Sequence, residues 1–288
     1  MQNSKAAVAW KLRTRTLDLT RPRIMGIVNV TPDSFSDGGE HATTEAAVAW
    51  GRKLAADGAD IIDVGGESTR PGAADVSLEE ELARVIPVVK TLAREGLIVS
   101  VDTSKPEVMR EAAAAGAEIL NDIRGFREAG APLAAAQSGC GLIVMHMQGT
   151  PRTMQKAPSY TDLIGEVTDF LLSQEKVLLA AGADPAAVMF DPGFCFGKNV
   201  EQNFELLAAT AHFVELGRPF LMALSRKSSL GAVTGVAKAG DRVVSSVAGA
   251  LIAVERGAQL VRVHDVRETK EAFDVLAAVR AAEVRLKD

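Results

Sequence analysis

Cysteine is nearly absent from this chain: Cys140 and Cys195 are its only two, 55 positions apart. That excludes a disulfide-stapled scaffold and a Cys-rich metal site, so a soluble protein of the reducing cytoplasm is expected. Aromatic residues are scarce too, at 5% with a single tyrosine, Tyr160. Such scarcity argues against the stacking platforms that bind single-stranded nucleic acid. Positive charge is not in surplus. The net charge is −5, which excludes a general binder of phosphate backbones, and no nucleic-acid partner is expected. No apolar run approaches the roughly 20 residues that cross a bilayer, so no membrane partner is expected. Residues 1–24 also lack the continuous apolar core of a secretory signal. What remains is globular: 288 residues, 47% hydrophobic and 24% charged, enough for one large core or two smaller domains.

Short apolar runs recur at 24–30, 61–64, 98–102, 119–122, 142–146, 188–191, 220–223 and 260–263. They are nearly continuous rather than alternating, as strands buried on both faces should be. Helical patterns fill the intervals. Leu78, Leu82, Val85, Ile86 and Val89 share one face, and Ser77 with Glu80 predicts a capping box at its start. Ser104 with Glu107 predicts a second box, with Pro106 in a first turn that tolerates it. Ala272, Val275, Leu276 and Val279 repeat the helical spacing near the C-terminus.

The joins from helix to strand carry Gly58, Gly96, Gly116, Gly139, Gly182, Gly217 and Gly257. Glycine suits the left-handed conformation that ends a helix. The opposite joins are longer and polar, the largest at 31–41, 65–76 and 148–161. Tight turns at one end and elaborate loops at the other predict an α/β protein, a (β/α)8 TIM barrel with its site at the strand C-termini. A doubly wound sheet competes, but it would gather polar residues at one switch point. Here Asn29, Asp63, Asp102, Asn121, His146, Asp191, Ser225 and His264 end nearly every strand. The chain therefore divides into an N-terminal extension, 1–23, and a barrel, 24–288. Val8, Trp10 and Leu12 alternate within the extension, so a short hairpin plugging the barrel bottom is expected.

In a closed barrel the strand ends converge on one mouth, where Asp102, Asn121 and Asp191 would meet. Acids so placed bind a group rich in N–H donors, hold a metal or move protons. One such acid alone would more often cap a helix or brace a loop. Arg70, Lys227, Arg262 and His264 form a second set. Arg262 and His264 are two apart in one strand, so both point the same way and suit an anion. A salt-bridged rim is the bland alternative, and for Arg70 it is equally good. Arg262 lies inside the apolar run 260–263, where an unpaired charge would be costly. Ser225-Arg226-Lys227-Ser228 lacks the Gly-x-x-x-x-Gly-Lys pattern of a phosphate loop. It reads as a strand-to-helix turn whose amides favour a carboxylate or phosphate near Ser228. Cys140 reads as core, His41 and His212 as surface, and His146 as a loop brace. Met145 reads equally as core or as ligand lining, and Cys195 receives no role.

In their joint order these motifs carry a family resemblance. They are IMGIVNVTPDSFSDGG at 24–39, DVGGESTRPG at 63–72, Asp102-Thr103, Asn121-Asp122, MHMQG at 145–149, DPGF at 191–194, SRKS at 225–228 and RVH at 262–264. The chain resembles the dihydropteroate synthases over roughly residues 24 to 270. The resemblance implies that 6-hydroxymethyl-7,8-dihydropterin diphosphate is joined to 4-aminobenzoate, giving 7,8-dihydropteroate and diphosphate for folate synthesis. Asp102, Asn121, Asp191 and Lys227 would then bind the pterin, flanked by Met145 and Phe194. Asn29, Thr69, Arg70, Arg262 and His264 would take the diphosphate, with Mg2+ as the implied cofactor held through Asn29. Phe35, Thr69, Pro71, Phe196, Lys227 and Ser228 would enclose 4-aminobenzoate, where sulfonamides compete. The catalytic set implied is Asp102, Lys227, Arg262 and His264, acting by electrostatic placement in a largely dissociative displacement. The implied partners are these small molecules and a second copy in a homodimer. Ala223 and Cys195 depart from the family pattern, standing where glycine is common.

The residues by themselves leave two other functions open. A Schiff-base aldolase on the same barrel would use Lys227 as its nucleophile. A pterin-binding protein without turnover would keep the acids but have no use for Arg70, Arg262 and His264 together.

Overall fold

Residues 7–30, 40–67 and 76–286 are described by the computed structural model of the chain. The apolar runs form eight parallel strands: β3 (Arg23–Asn29), β4 (Ile61–Gly65), β5 (Val99–Asp102), β6 (Ile119–Asp122), β7 (Gly141–Met145), β8 (Val188–Asp191), β9 (Leu221–Met222) and β10 (Leu260–Val263). They pair in the order β8-β7-β6-β5-β4-β3-β10-β9. A parallel bridge from Phe190 to Phe220 joins the two ends, and the Phe190 N–H donates to the Pro219 carbonyl at 2.9 Å. The sheet thereby closes into the (β/α)8 barrel. β9 is shorter than its apolar run suggests, because Phe220 joins only through this bridge.

Strand periodicity sorts the side chains into two sets. One set faces outward and packs under the helices, as Ile24, Val28, Ile62, Val64, Val99 and Val101 do. The other faces the barrel interior. Its lowest members, Met25, Ile61, Ile119, Ile143, Met189, Leu221 and Leu260, form a floor with Trp10, Leu12, Leu17 and Leu19. The last four come from an antiparallel hairpin, β1 (Ala9–Lys11) with β2 (Thr16–Asp18), which plugs the barrel bottom. Trp10 is fully buried there and its Nε1 donates to the Ala187 carbonyl at 2.7 Å. A Cβ at Gly141 would stand 2.9 Å from both Trp10 and Leu12, so only glycine lets the plug seat. Val8 stays 64% exposed, so the alternation begins one pleat later than the sequence suggested.

All seven helix-to-strand glycines take positive φ, from 68° at Gly139 to 110° at Gly116. The helix starts and faces need correction. At α2 (Leu78–Arg94), Ser77 Oγ accepts the Glu80 N–H at 3.1 Å, but the Glu80 carboxylate pairs with Arg84 and leaves the box half made. At α3 (Pro106–Ala115) the N-cap is Lys105, without a side-chain cap. The Ser104 hydroxyl instead donates to Asp122, whose buried carboxylate is the stronger acceptor. α10 (Val266–Arg285) buries Val266, Thr269 and Phe273, while Val275 and Val279 are 67% and 50% exposed. Its predicted apolar face is therefore split: Ala272 and Leu276 are half-buried, Leu276 against the core, while Val275 and Val279 face outward. Beside it, α9 (Val243–Glu255) also turns Val244 and Ile252 to the surface.

Candidate active site

The barrel mouth is assembled by register. Asn29 pairs with Gly65, Gly65 with Asp102 and Asp102 with Asn121, so four neighbouring strands end on one rung. Met145 pairs with Asp191 on the next two strands. The three polar residues expected to meet, Asp102, Asn121 and Asp191, are thus brought to one mouth, each almost fully buried. Apolar side chains line the same opening: Ile123, Met145, Met147, Met154 and Phe196 form a separate cluster.

Arg262 enters this space from β10 and finds its partners. Its Nε donates to Asp63 Oδ2 at 2.7 Å and its Nη2 to Asp102 Oδ2 at 3.0 Å. The guanidinium therefore sits inside the barrel, not on a rim. Asp63 lies one layer below the mouth, beside Ser100 in register. The sequence marked Asp63 as a polar strand end but not as the counter-ion of Arg262. Asp63 Oδ1, Ser100 Oγ and Asn121 Oδ1 are buried with no hydrogen-bond partner. An orphaned acceptor is costly, and Asn121 in the mouth rung is suited to a ligand's donor.

Burial sets the electrostatics. It pushes Asp102 up to about 7, opposed by Arg262 and reinforced by Asp63, Asp122 and Glu81. It pushes Asp191 up to about 6, opposed by the Gly193 N–H and by Lys227, Lys198 and Arg262. Lys227 is lowered, again chiefly by burial. Its Nζ stands 4.1 Å from the centre of the Phe196 ring, a cation–π contact, and it caps α8 (Ser228–Thr234). Ser228 is exposed at the first position of that helix.

The loop after β8 shows what sequence reasoning missed. Asp191 Oδ1 accepts the Gly193 N–H at 2.8 Å. Gly193 has φ +70°, and a Cβ there would lie 1.8 Å from the His146 carbonyl oxygen. Lys198, 2% exposed, gathers the loop with all three of its protons. Its Nζ donates to His146 Nδ1 at 2.9 Å and to the carbonyls of Gly193 and Phe196, each at 3.0 Å. Gln155 Nε2 donates to the Cys195 carbonyl at 2.6 Å and the Tyr160 hydroxyl to the Gly197 carbonyl at 2.7 Å. Burial lowers Lys198 to about 7, and burial with Lys198 and Arg127 lowers His146 to about 2. A neutral His146 braces the loop, as its sequence reading had it. The one signal for Lys198 was its place closing a glycine-punctuated loop, whose carbonyls need donors.

Phe194 does not join Phe196 at the mouth. It is buried in the outer core, edge-on to Phe204 with centroids 6.1 Å apart, because the left-handed turn at Gly193 directs it under the helices. Its expected place beside the pterin is corrected accordingly. His264 and Asn29 end adjacent strands. Phe35, Thr69, Arg70 and Pro71 lie outside the described residues.

Acceptors, cations and an apolar lining on one cup suit a flat heterocycle with N–H donors and an anionic tail. Residues 25–264 match the model of the pterin binding enzyme family. The dihydropteroate synthase of Escherichia coli strain K12 is 51% identical over 268 residues, covering 93% of this chain and 95% of that one. The chain belongs to the dihydropteroate synthase family. Among solved family members, the Xanthomonas albilineans dihydropteroate synthase with 4-aminobenzoic acid is similar at TM-score 0.90 and 50% identity, covering 96% of this chain and 99% of that chain. The Xanthomonas albilineans enzyme in complex with 7,8-dihydropteroate gives TM-score 0.87 and 48% identity, covering 95% and 99%. Dihydropteroate synthases are transferases, and membership among them sets aside the Schiff-base aldolase.

Proposed function

We propose that this chain condenses 6-hydroxymethyl-7,8-dihydropterin diphosphate with 4-aminobenzoate, releasing diphosphate and forming 7,8-dihydropteroate. The observation that carries the reading is the mouth itself: Asp102, Asn121 and Asp191 face one opening with Arg262 held among them. The Asp191 carboxylate accepts the paired N–H donors of the pterin edge, a bidentate match. Asn121 satisfies its orphaned oxygen on the same ring, and Lys227 donates to the ring carbonyl. Met145 lines one face.

The C–O bond to diphosphate breaks first, and its electron pair leaves with the diphosphate oxygen. Asp102 stabilises the positive charge left on the pterin methylene. Arg262, His264, Asn29 and the loop residues Thr69 and Arg70 take the diphosphate. Arg262 is already fixed by Asp63, so little reorganisation is needed when charge develops. The 4-aminobenzoate nitrogen then forms the C–N bond with its lone pair and gives up one proton to the released diphosphate or to water. Its carboxylate meets Ser228 at the start of α8, while Phe196, Phe35, Pro71 and the stem of Lys227 enclose its ring.

Mg2+ fits this donor set as an ion brought with the diphosphate. Asn29 offers a hard amide oxygen, and Mg2+ usually keeps waters and bridges substrate phosphates. Among the described residues no group of three His, Cys, Asp or Glu side chains could cage it. When bound, it supplies charge neutralisation of the leaving group.

A homodimer is part of the proposal. Val244, Ala248 and Ile252 form an exposed stripe at i, i+4, i+8 on α9, next to exposed Val275 and Val279 of α10. An exposed apolar stripe of this kind supports placing the interface there. Ile252→Glu should turn dimers into monomers in light scattering. Two free thiols favour a cytoplasmic setting. No described helix is long and apolar enough to cross a membrane.

Diphosphate release, measured with and without 4-aminobenzoate, tests the reaction. Release should require the amine; release indifferent to it would mean hydrolysis instead of synthesis. Sulfonamides should inhibit in competition with 4-aminobenzoate, since Thr69-Arg70-Pro71-Gly72 carries no insertion against the family pattern.

A further inference from the structure

The turns that follow β9 and β10 are tied to each other by two neighbouring pairs. Ser225 Oγ accepts the His264 backbone N–H at 3.1 Å and lies 3.1 Å from His264 Nδ1. Arg226, the next residue, forms a two-point ion pair with Asp265, the residue after His264; its Nε donates to Oδ2 at 3.0 Å and its Nη2 to Oδ1. Arg226 takes φ +60°, a left-handed conformation unusual outside glycine. It is held by its N–H to Ser246 Oγ at 2.8 Å and by Arg242 Nη1 on its carbonyl at 2.9 Å. Residues 225–226 and 264–265 are thus bonded to each other at two successive positions.

A serine hydroxyl carries one proton and two lone pairs. The His264 amide occupies one lone pair. Ser225 is only 4% exposed, so its proton needs an acceptor within the protein. Among the described residues, His264 Nδ1 is the acceptor in reach. A neutral imidazole whose Nδ1 accepts carries its own proton on Nε2. We propose that Ser225 is a positioning residue that fixes neutral His264 in the Nε2–H form, so that the far edge of the ring presents a donor to diphosphate. The opposite tautomer would turn a lone pair toward the phosphate oxygens and repel them. The proposal rests on the reading of His264 as a diphosphate ligand.

Histidine labelled with 15N reads the ring directly, without turnover. The chain has only four histidines, and His264→Gln identifies the signal by its loss. At a pH where the ring is neutral, His264 should show a protonated Nε2 and an unprotonated Nδ1. Ser225→Ala should average the two nitrogens and weaken binding of the pterin diphosphate about tenfold. The affinity for the free pterin should stay unchanged, and Ser225→Thr, which keeps the hydroxyl, should restore the wild-type spectrum and binding. A proton on Nδ1 in the wild-type protein, or an unaltered ring in Ser225→Ala, overturns the proposal. Equal losses for pterin and pterin diphosphate overturn it as well. The expected tautomer with no change in diphosphate affinity would overturn the donor role by removing His264 from the diphosphate site.

Discussion

The two ends of the barrel are made by the same strands and behave as different materials. On β4, β6, β8 and β10 the inward residues near the bottom are Ile61, Ile119, Met189 and Leu260. Two positions further along the same strands stand Asp63, Asn121, Asp191 and Arg262. About 7 Å of chain separates an apolar floor from a charged mouth. At the floor, burial is favourable outright. At the mouth, it holds Asp102 near 7 and Asp191 near 6, away from their ordinary range. Stability and ligand chemistry are therefore housed at opposite ends, and substitutions should separate them.

The sharpest break is expected at the plug. Trp10→Ala removes a fully buried indole and its bond to Ala187. It should cost about 3–5 kcal/mol in denaturant unfolding, with pterin affinity preserved in the folded fraction. Asp191→Ala should do the reverse. Pterin binding by calorimetry should fall at least roughly 100-fold, while unfolding free energy changes by less than about 1 kcal/mol. Parallel losses in both variants would mean that the two ends are coupled.

A smaller effect comes from pH. The pterin's donors need ionised acids, so affinity should rise about tenfold from about pH 5 to about pH 8 as Asp191 and then Asp102 ionise. Fold stability should move the other way. These acids keep their protons in the folded state after the unfolded chain has released its own, so their contribution falls from about pH 4 to about pH 7. A flat binding profile would remove the carboxylates from pterin recognition. The smallest change expected is at Cys195, whose φ is +67°. Cys195→Gly relieves the left-handed strain but gives up the thiol's contact with Ser229 Oγ at 3.2 Å. Thermal unfolding should show a gain below about 1 kcal/mol; a clear loss would make the thiol the loop's anchor.

The glycine joins and the polar strand ends were legible because each answers a local need. A chain leaving a helix at positive φ takes glycine, and polar residues closing nearly every strand, where a lone one would more often cap or brace, point together to a mouth. Arg262 announced that it needed a partner, but Asp63 lies 199 positions away across the barrel interior, and only register reveals it. Lys198 gave only the hint of its place in a glycine-punctuated loop, because two of its three acceptors are backbone carbonyls. Ser104 misled because its competing acceptor, Asp122, belongs to a different strand. The 272–279 stripe was a true periodicity; spacing states that a face is apolar, not whether the barrel or another surface meets it.

The placement of Arg262 also bears on the order in which this protein can be completed. Asp63 and Asp102 leave the ribosome long before β10, yet their shared counter-ion arrives with that final strand. A nascent chain lacking it would have to enclose two acids unaccompanied, which disfavours any stable partial barrel. Closure of the charged interior is thereby postponed until β10 has been made.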